Sequence, residues 1–253
     1  MNKNIAAIIL AAGKGTRMKC KERNKVTIPF LNKPLIVYAV ELMINIASPV
    51  VVVAGAFKES VRQVLKKYPV VYAFQKKRLG TGHAVKVGLS AIAKLKTVPE
   101  LILVGYGDHM MFYDQEVIKK LLDLHQKKQP AISLITFEYD RPNLLKYGRI
   151  IRDKNGFITG IVEQKNASPK QKLIKEVNPG FYCFDYLFLK KYLNQIRKSA
   201  VGEYYLTDLV EIAAAHNFKT IGLKIPFEKA GLGINTFEEL KESEKIYIKK
   251  NGH

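Results

Sequence analysis

A glycine-bearing loop near the start of the chain has the residue types that bind phosphate. The apolar run Ile5–Leu10, which reads as a buried strand, leads directly into the loop Leu10–Met18, with the sequence LAAGKGTRM. Glycines at such a turn let backbone N–H groups close around phosphate oxygens without help from side chains. Lys14 and Arg17 add positive charge that suits a triphosphate. The segment Leu10–Met18, which we call the phosphate loop, therefore predicts nucleotide binding.

Two better-known phosphate loops do not fit this segment. A dinucleotide fingerprint needs a third glycine where Met18 stands, and an acidic residue at the end of the second strand, where Ala54 and Gly55 stand. A Walker loop closes a longer spacing with Gly-Lys-Ser or Gly-Lys-Thr, which is absent. A purely structural turn between a strand and a helix stays as the alternative, although such a turn requires neither Lys14 nor Arg17.

A carboxylate stands at a second suggestive position. Asp108 follows the apolar run Leu101–Val104 and a short glycine-bearing turn. An anion at a strand end is poorly placed unless a cation faces it, and carboxylate oxygens are the ligands that hard divalent cations prefer. Asp108 is therefore a candidate metal ligand; the alternative is an N-cap on a following helix.

The first half of the chain predicts a scaffold that brings such strand ends together. Strands at Val50–Ala54, Val70–Phe74 and Leu101–Val104 alternate with helical patterns at Pro34–Ile46, Val61–Tyr68 and Thr81–Ala93. This alternation is typical of an α/β fold with a mostly parallel, Rossmann-like sheet and helices on both faces. Ligands of such sheets bind beyond the carboxyl ends of the strands, where the loop and Asp108 both lie.

After about residue 131 the pattern changes to strands with short connections. These strands are predicted at Ala131–Glu138, Gly148–Arg152, Phe157–Glu163, Val177–Phe184 and Thr220–Ile225, with a helix at Tyr205–His216. We expect one domain over residues 1–236, with a nucleotide half at about 1–130 and a smaller mixed β half at about 131–236. A charged amphipathic pattern predicts a C-terminal helix over 237–253.

The chain is strongly basic, with 42 Lys and Arg against 22 Asp and Glu and a net charge of +20. The lysines are scattered and form no arginine-rich block, so we read them as a solvated surface and expect no specific nucleic-acid partner. No apolar stretch approaches the roughly 18 residues that span a bilayer, and no signal peptide is recognisable. Cys20 and Cys183 read as reduced thiols. We therefore expect a cytoplasmic protein with no membrane partner.

Several further motifs, taken in order with LAAGKGTRM, resemble a known family. They are Gln75 with Leu79-Gly80-Thr81-Gly82-His83-Ala84, Gly107-Asp108, Tyr147-Gly148-Arg149-Ile150, Ile161-Val162-Glu163-Gln164-Lys165, Asn178-Pro179-Gly180, Glu203-Tyr204-Tyr205-Leu206-Thr207-Asp208 and Gly233-Ile234-Asn235. Together they resemble the sugar nucleotidyltransferases. Within that family they are most similar to the uridylyltransferase domain of bacterial bifunctional N-acetylglucosamine-1-phosphate uridylyltransferase/glucosamine-1-phosphate acetyltransferases.

The resemblance implies an enzyme that transfers a uridylyl group from UTP to N-acetylglucosamine 1-phosphate. The products are UDP-N-acetylglucosamine, a cell-wall precursor, and pyrophosphate. It implies Mg²⁺ as the cofactor, held by Asp108 and Asn235, and catalytic roles for Arg17, Lys25 and Asp108. It also implies that the substrates, UTP and a hexosamine 1-phosphate, are the main partners. A turn residue is the alternative for Asn235, and a solvated side chain is the alternative for Lys25.

The resemblance also implies two groups of substrate contacts. The nucleotide-binding residues are Leu10, Ala11, Ala12, Gly13, Gly15, Arg17, Lys25, Gln75, Gly80, Thr81 and Asp108. The sugar-binding residues are Gly148, Glu163, Asn178, Tyr205 and Thr207, so the resemblance makes the part at about 131–236 the sugar half. The alternatives are a surface glutamine for Gln75 and a strand-end surface carboxylate for Glu163, while His83 reads as a helix-start or packing residue.

This sequence departs from the family pattern in several places. The loop before Lys25 is one residue longer than usual, Asn24 stands where proline is usual, and Met110 and Pro179 replace other usual residues. The left-handed β-helix acetyltransferase domain of the bifunctional relatives has no counterpart here. Two rival functions stay open: a related enzyme acting on another sugar 1-phosphate, for example glucose 1-phosphate with dTTP or UTP, and a catalytically silent regulatory protein that binds sugar nucleotide.

Overall fold

The computed structural model describes residues 4–18, 22–95 and 98–252. Within them the strands are β1 (Ile5–Ala11), β2 (Pro29–Phe30), β3 (Lys33–Pro34), β4 (Val50–Ala54), β5 (Val71–Phe74), β6 (Leu101–Tyr106), β7 (Ile132–Glu138), β8 (Gly148–Arg152), β9 (Ile158–Val162), β10 (Glu176–Asn178), β11 (Tyr182–Asp185) and β12 (Thr220–Lys224). The helices are α1 (Leu35–Ile44), α2 (Lys58–Val64), α3 (Thr81–Ile92), α4 (Gln115–Lys128), α5 (Pro169–Lys172), α6 (Tyr186–Tyr192), α7 (Asp208–Ala215), α8 (Phe227–Ala230) and α9 (Phe237–Asn251). Short 3-10 turns cover Thr16–Met18, Lys25–Thr27, Pro142–Leu144 and Leu193–Gln195.

The first half of the chain forms the parallel part of the main sheet, in the order β5-β4-β1-β6. The register pairs Ala11 of β1 with Ala54 of β4, and Leu10 of β1 with Tyr106 of β6. The three strands therefore end at one edge of the sheet, and the loops that follow them meet there. This is the edge where the sequence places the phosphate loop and Asp108.

The second half extends the same sheet with antiparallel pairs. β11 lies between β6 and β7 and is antiparallel to both, and the order continues through β10 and β8 to β9, with β12 parallel to β7. The predicted α/β fold class, with a mostly parallel sheet and a mixed second part, is confirmed. Because β11 lies next to β6, loops from the second half reach the same edge as Asp108.

Helices cover both faces of this sheet. Along β1, Ile9 faces a core that includes residues of α1 and α4, while Ile8 faces one that includes residues of α3, α6 and α7. The alternation follows from the strand period of two, and it explains why β1 is apolar along its whole length. A strand buried on both faces is held rigidly, and the loop after it begins from a fixed point.

Several predicted boundaries differ from the observed ones. α7 begins at Asp208 rather than Tyr205, because Tyr204 and Leu206 form hydrogen bonds to Leu79 and to the first turn of α3 instead of to their own helix. α2 ends at Val64 rather than Tyr68. The predicted strand Val177–Phe184 is two strands, β10 and β11, separated by a turn with Gly180 at φ +90°. The helices α4 and α6 were not predicted.

The C-terminal helix α9 packs against the first half of the chain through an aromatic cluster. The Tyr247 ring centroid lies 5.4 Å from that of Phe30, 6.1 Å from that of Tyr38 and 5.7 Å from that of Phe112. Edge-to-face arrangements of this kind add to the free energy gained by burial. The start of α9 is closed by a capping box between Thr236 and Glu239. Both ends of the helix are therefore anchored.

None of the helices in the described ranges is long and apolar enough to cross a membrane. Cys183 is buried in β11, and Cys20 lies outside the described residues.

We predict that Tyr247→Ala lowers the free energy of unfolding by about 2 kcal/mol, because it removes the ring that joins α9 to three other aromatic side chains. Denaturant unfolding followed by circular dichroism measures the change. Ile248→Ala, on the exposed side of the same helix, is the control and should change the unfolding free energy by less than about 0.5 kcal/mol. Equal effects of the two substitutions would show that the aromatic cluster does not hold the helix.

Candidate active site

The phosphate loop leaves the edge of the sheet where β1 and β4 end. Gly55, after β4, approaches so closely that a Cβ added there would lie 2.6 Å from the carbonyl oxygen of Ala12. Gly13 has open space around the position of a Cβ, and Gly15 has φ +66°, a conformation that glycine adopts without strain. The phosphate loop therefore packs against the residue that follows β4, while the space beside Gly13 is open.

Four polar side chains from distant parts of the sequence meet beside this loop. Lys25 Nζ forms an ion pair with Asp108 Oδ2 and donates to Asn235 Oδ1 at 3.1 Å. Arg17 Nη2 donates to the same Asn235 oxygen at 2.8 Å. The Lys25 and Asp108 side chains are only 12% and 20% exposed. This charge cluster, Arg17, Lys25, Asp108 and Asn235, gathers the predicted catalytic and metal-binding residues at one point.

Backbone contacts fix the two oxygen donors of the charge cluster relative to each other. The Ile234 N–H donates to the Asp108 carbonyl at 3.1 Å, so the loop after β6 and the loop before α9 are directly joined. The Asn235 N–H donates to Glu239 Oε2 at 2.6 Å. Neither Asp108 nor Asn235 caps a helix through its side chain: Asp114 caps α4 and Thr236 caps α9. Neither side chain is therefore needed to cap a helix; Asp108 contacts the ammonium of Lys25 instead, and Asn235 contacts the cationic groups of Lys25 and Arg17.

The donor set of the charge cluster fits a hard divalent cation. Asp108 Oδ2 and Asn235 Oδ1 already converge on one positively charged atom, Lys25 Nζ, so a single cation can reach both oxygens. A carboxylate and an amide oxygen suit Mg²⁺, which takes its other ligands from water and phosphate. No group of three or more His, Cys, Asp or Glu side chains with metal-binding geometry occurs among the described residues.

A cavity of about 730 Å³ extends from the phosphate loop to the start of α3. It is lined by Leu10, Ala11, Ala12, Gly13, Lys14, Arg17, Asn24, Lys25, Val26, Gln75, Arg78, Gly80, Thr81, Ala84, Tyr106, Asp108, Glu203, Tyr205 and Asn235. Every predicted nucleotide-binding residue except Gly15 is among them. Lys14, Arg17 and Lys25 make the lining basic beside the phosphate loop, and Gln75 lines the cavity near the start of α3.

Gln75 is buried and held in one orientation. Its Nε2 donates to the Gly80 carbonyl at 3.0 Å and lies 2.9 Å from His83 Nδ1. Burial and the nearby Lys86 charge lower the pKa of His83, which keeps the ring neutral and lets Nδ1 accept that hydrogen. His83 therefore positions Gln75, and both amide hydrogens are used while the amide oxygen stays available to a ligand.

The loop before α3 pairs with the segment before α7. The Tyr204 N–H donates to the Leu79 carbonyl and the Gly82 N–H donates to the Tyr204 carbonyl, each at 2.8 Å. Any Cβ at Gly80 would lie 2.5 Å from the Tyr204 carbonyl oxygen, so only glycine permits this approach. The Leu206 N–H then donates to Thr81 Oγ1 at 2.9 Å. These bonds connect the lining of the 730 Å³ cavity to the second half of the chain.

A second cavity, of about 210 Å³, opens on the other side of the charge cluster. It is lined by Arg17, Tyr106, Asp108, His109, Lys146, Tyr147, Gly148, Glu163, Asn178, Pro179, Gly233 and Asn235. Three predicted sugar-binding residues, Gly148, Glu163 and Asn178, are in this lining. Tyr205 lies instead along the larger cavity, and Thr207 is behind the wall, where its Oγ1 donates to Glu163 Oε1 at 3.1 Å.

Burial perturbs the carboxylates around the smaller cavity. It raises the pKa of Glu163, although the Thr207 hydrogen bond and the Lys165 charge oppose the shift. Burial and the charges of Glu211 and Glu163 raise the pKa of Asp208 to about 6. A carboxylate that is costly to leave buried and incompletely hydrogen-bonded is a strong acceptor for ligand hydroxyls.

Tyr106 forms the wall between the two cavities. Its hydroxyl contacts the hydroxyls of Thr81 and Tyr182, and Tyr182 in turn accepts a hydrogen bond from Asn178 Nδ2 at 2.7 Å. Since Thr81 and Tyr182 each already accept an N–H, we assign their own protons to the Tyr106 oxygen. Burial raises the pKa of Tyr106, so the phenol keeps its proton, and this assignment leaves that proton free for a third acceptor.

Comparison with known proteins agrees with this geometry. A sequence model described as nucleotidyl transferase matches residues 6–224. The chain belongs to the nucleotidyl transferase family. The phosphate loop and Arg17, Lys25 and Asp108 of the charge cluster lie within the matched span, as do the residues that line the two cavities except Gly233 and Asn235, which follow it.

Individual proteins of known name are similar to this chain over nearly its whole length. This nucleotidyltransferase is 38% identical over 248 residues to the "Bifunctional protein GlmU" of Caldicellulosiruptor saccharolyticus, covering 97% of this chain and 52% of that protein. It is 38% identical over 247 residues to the protein of the same name from Thermus thermophilus, covering 97% and 52% respectively. The chain therefore spans about half the length of the curated relatives it matches, and the matched part is their N-terminal half.

The fold is also similar to that of a solved structure, a UDP-glucose pyrophosphorylase complexed with UDP-glucose. The TM-score is 0.77 at 23% sequence identity, covering 98% of this chain and 99% of the other. At this identity the likeness supports the fold.

Several lining residues of this nucleotidyltransferase were not among the predicted site residues. Tyr106 directly precedes Gly107-Asp108 at a strand end, and that position could have identified it. His109 is buried against the Pro179 carbonyl at 2.8 Å and stacks on Tyr147, with ring centroids 5.3 Å apart. Lys146 and Arg78 also line the cavities, but nothing in their sequence context distinguishes them from other basic residues.

We predict that Tyr106→Phe lowers kcat/KM by about 10- to 100-fold while the protein stays folded. The substitution leaves the buried hydroxyls of Thr81 and Tyr182 without an acceptor and removes a donor from the junction of the cavities. Steady-state kinetics measure the effect. The control is Tyr113→Phe, since the buried Tyr113 hydroxyl makes no hydrogen bond within the described residues. A Tyr106→Phe enzyme as active as the Tyr113→Phe enzyme would contradict the assignment.

Proposed function

We propose that this nucleotidyltransferase transfers a uridylyl group from UTP to N-acetylglucosamine 1-phosphate, giving UDP-N-acetylglucosamine and pyrophosphate. The observation that carries the proposal is the meeting of two cavities of unequal size. They share Arg17, Tyr106, Asp108 and Asn235 as walls, so two ligands bound side by side would touch at the charge cluster. The larger cavity suits a nucleoside triphosphate, and the smaller suits a single sugar ring with its phosphate.

Catalysis of this reaction requires alignment of the two substrates and neutralisation of their charge, and it does not depend on proton transfer. A phosphate oxygen of the sugar phosphate attacks the α-phosphorus of UTP, and the bond from that phosphorus to the leaving pyrophosphate breaks. The nucleophile is already an anion near neutral pH, so no general base is needed. Two polyanions repel each other, however, and holding them in line requires fixed positive charge. Lys25 and Arg17 supply it and stabilise the charge that gathers on pyrophosphate.

Asp108 and Asn235 are the residues that would hold Mg²⁺. When bound, the cation supplies further neutralisation of the phosphate oxygens. The protein's own part is to hold the carboxylate and the amide at a fixed separation, through the bond from the Ile234 N–H to the Asp108 carbonyl and through the anchored start of α9. Arg17 and Lys25 would then be released from these oxygens to contact phosphate.

The base and the sugar would be recognised by groups that the fold has already fixed. Gln75 presents its amide oxygen to the nucleotide cavity, as an acceptor for the imide N–H of uracil, and the narrow turn at Gly80 and Thr81 favours a pyrimidine. On the sugar side, Glu163 accepts from ring hydroxyls and Asn178 is held by Tyr182. The relatives named GlmU and the motif order support the choice of hexosamine.

We predict that activity requires Mg²⁺ and that Asp108→Ala lowers turnover by on the order of 10²-fold or more without unfolding the protein. Pyrophosphate release during a magnesium titration measures both effects. The control is Asp140→Ala, because the Asp140 carboxylate is almost fully exposed and pairs only with Lys175 on the surface. Unchanged turnover in excess chelator, or an Asp108→Ala enzyme close to wild type, would show that the charge cluster holds no metal.

We further predict a substrate preference. Pyrophosphate release should be fastest with UTP and N-acetylglucosamine 1-phosphate, slower with glucose 1-phosphate or dTTP, and slowest with ATP or GTP. Gln75→Ala should reduce the difference in rate between UTP and ATP, because the substitution removes the amide that would hydrogen-bond to the pyrimidine. Comparable rates with ATP would refute the uracil assignment, and a preference for glucose 1-phosphate would refute the hexosamine. Nucleotide binding without turnover on any pair would favour a silent regulatory protein.

A further inference from the structure

Asn24 is a polar side chain buried in the wall of the nucleotide cavity. It is only 1% exposed, and its Nδ2 lies 2.9 Å from the Ala11 carbonyl, 3.3 Å from the Gly13 carbonyl and 2.8 Å from the Ala56 carbonyl. On the other side of the amide, Oδ1 accepts from the Val26 N–H at 3.1 Å. Every donor and acceptor of the amide group is therefore in use.

These contacts leave only one orientation for the amide. Exchanging Oδ1 and Nδ2 would place the oxygen against three carbonyl oxygens and the amino group against the Val26 N–H. Burying polar groups in such an arrangement costs several kcal/mol, so the side chain acts as a fixed clamp. The backbone is unstrained, with φ −71° and ψ 143°.

The segments that Asn24 joins all belong to the triphosphate side of the cavity. Ala11 and Gly13 are the entry and the turn of the phosphate loop, and Ala56 lies in the loop after β4, which supports it. Asn24 is also the N-cap of the 3-10 turn Lys25–Thr27, whose first residue carries the ammonium of the charge cluster. One side chain thus sets the distance between the backbone and the charge that would face the same phosphates.

A second set of contacts involves only the backbone of Asn24. The Asn24 N–H donates to Ser60 Oγ at 2.9 Å, and Ser60 Oγ donates to the Phe57 carbonyl at 2.7 Å. Thr27 Oγ1 donates to the Asn24 carbonyl at 2.8 Å. These bonds use the Asn24 backbone and leave the amide untouched, so Ser60 offers a matched control.

We infer that Asn24 is a positioning residue for the triphosphate: its amide holds the phosphate loop and Lys25 in the arrangement that binds and activates the nucleotide. The inference rests on the proposed function in one respect, that these two elements contact the triphosphate. Asn24 itself acts through its neighbours. Displacing a catalytic group by about 1 Å is enough to lower a rate about 10²-fold.

The test compares Asn24→Ala with Ser60→Ala and the wild type, all normalised to folded protein by circular dichroism. Asn24→Ala should lower kcat and raise the KM for UTP, for a combined loss of about 30- to 100-fold in kcat/KM, while the KM for the sugar phosphate changes less than about twofold. Ser60→Ala should stay within about threefold of wild type. Asn24→Asp, which keeps the size but loses the donors, should be at least as impaired as Asn24→Ala.

A double-mutant cycle with Lys25→Ala separates positioning from packing. Because the inference has Asn24 act through both the loop and Lys25, the loss in kcat caused by Asn24→Ala should be smaller in the Lys25→Ala background than in the wild type, and an equal loss in both backgrounds would overturn the part assigned to Lys25. A purely structural residue would lower the thermal midpoint but leave kcat and both KM values unchanged per folded molecule, and that result would overturn the inference. Equal losses on the nucleotide and sugar sides would overturn it as well.

Nucleotide affinity keeps this test separate from the proposed function. Titration calorimetry of the same variants with UTP and with ATP, without sugar phosphate, should show weaker triphosphate binding for Asn24→Ala whichever base is preferred. If the wild type binds a triphosphate but turns over no substrate pair, the proposed function fails and the inference stands or falls on these affinities. Unchanged affinity and unchanged turnover in Asn24→Ala would refute the inference while leaving the proposed function intact.

Discussion

The convergence of Lys25 and Arg17 on the oxygens of Asp108 and Asn235 is the interaction on which the rest of this structure depends. A carboxylate left alone at the end of a buried strand would be costly, and so would an ammonium with 12% exposure. The ion pair offsets the cost of burying each of these two charges, and the amide oxygen of Asn235 accepts hydrogen bonds from both Lys25 and Arg17. The cluster is therefore stable without a ligand, and its groups are of the kinds that suit phosphate and a divalent cation.

The fold is arranged so that this point lies between two binding spaces. The parallel half brings the phosphate loop and Asp108 to one edge of the sheet, and the insertion of β11 beside β6 brings the second cavity to the same edge. Tyr106, at the end of β6, stands between them, and its hydroxyl contacts connect Thr81 on one side with Asn178 through Tyr182 on the other. Helix α9 closes the arrangement, because Asn235 sits directly before its capped first turn.

Sequence patterns predicted the parts of this arrangement that depend on local periodicity. The apolar strand ending in LAAGKGTRM, the alternation of strands and helices, and the position of Asp108 all follow from residue types and spacing. The position of β11 between β6 and β7 does not, since a strand's partner is chosen by tertiary packing. The start of α7 was misplaced for the same reason: bonds to Leu79, Thr81 and Gly82 hold residues 204–206 out of the helix.

Other misses have different causes. Helix α4 has a clear local sequence signal, an Asp114 N-cap followed by apolar Val117, Ile118 and Leu121. Its absence from the predicted elements therefore has no physical cause. Asn24 was noticed only as a departure from a proline, because no sequence rule shows which distant carbonyls an amide will reach. The wall formed by Tyr106 depends equally on contacts between remote segments.

The central claim is that the protein aligns two polyanions for direct transfer and that none of its side chains becomes covalently attached to the nucleotide. The stereochemical course at the α-phosphorus tests this claim most directly. With a UTP analogue of defined configuration, carrying sulfur at the α-phosphorus, a single in-line attack by the sugar phosphate predicts inversion in the UDP-sugar product. Retention of configuration would reveal two successive displacements, and hence a nucleophilic side chain for which this account has no place.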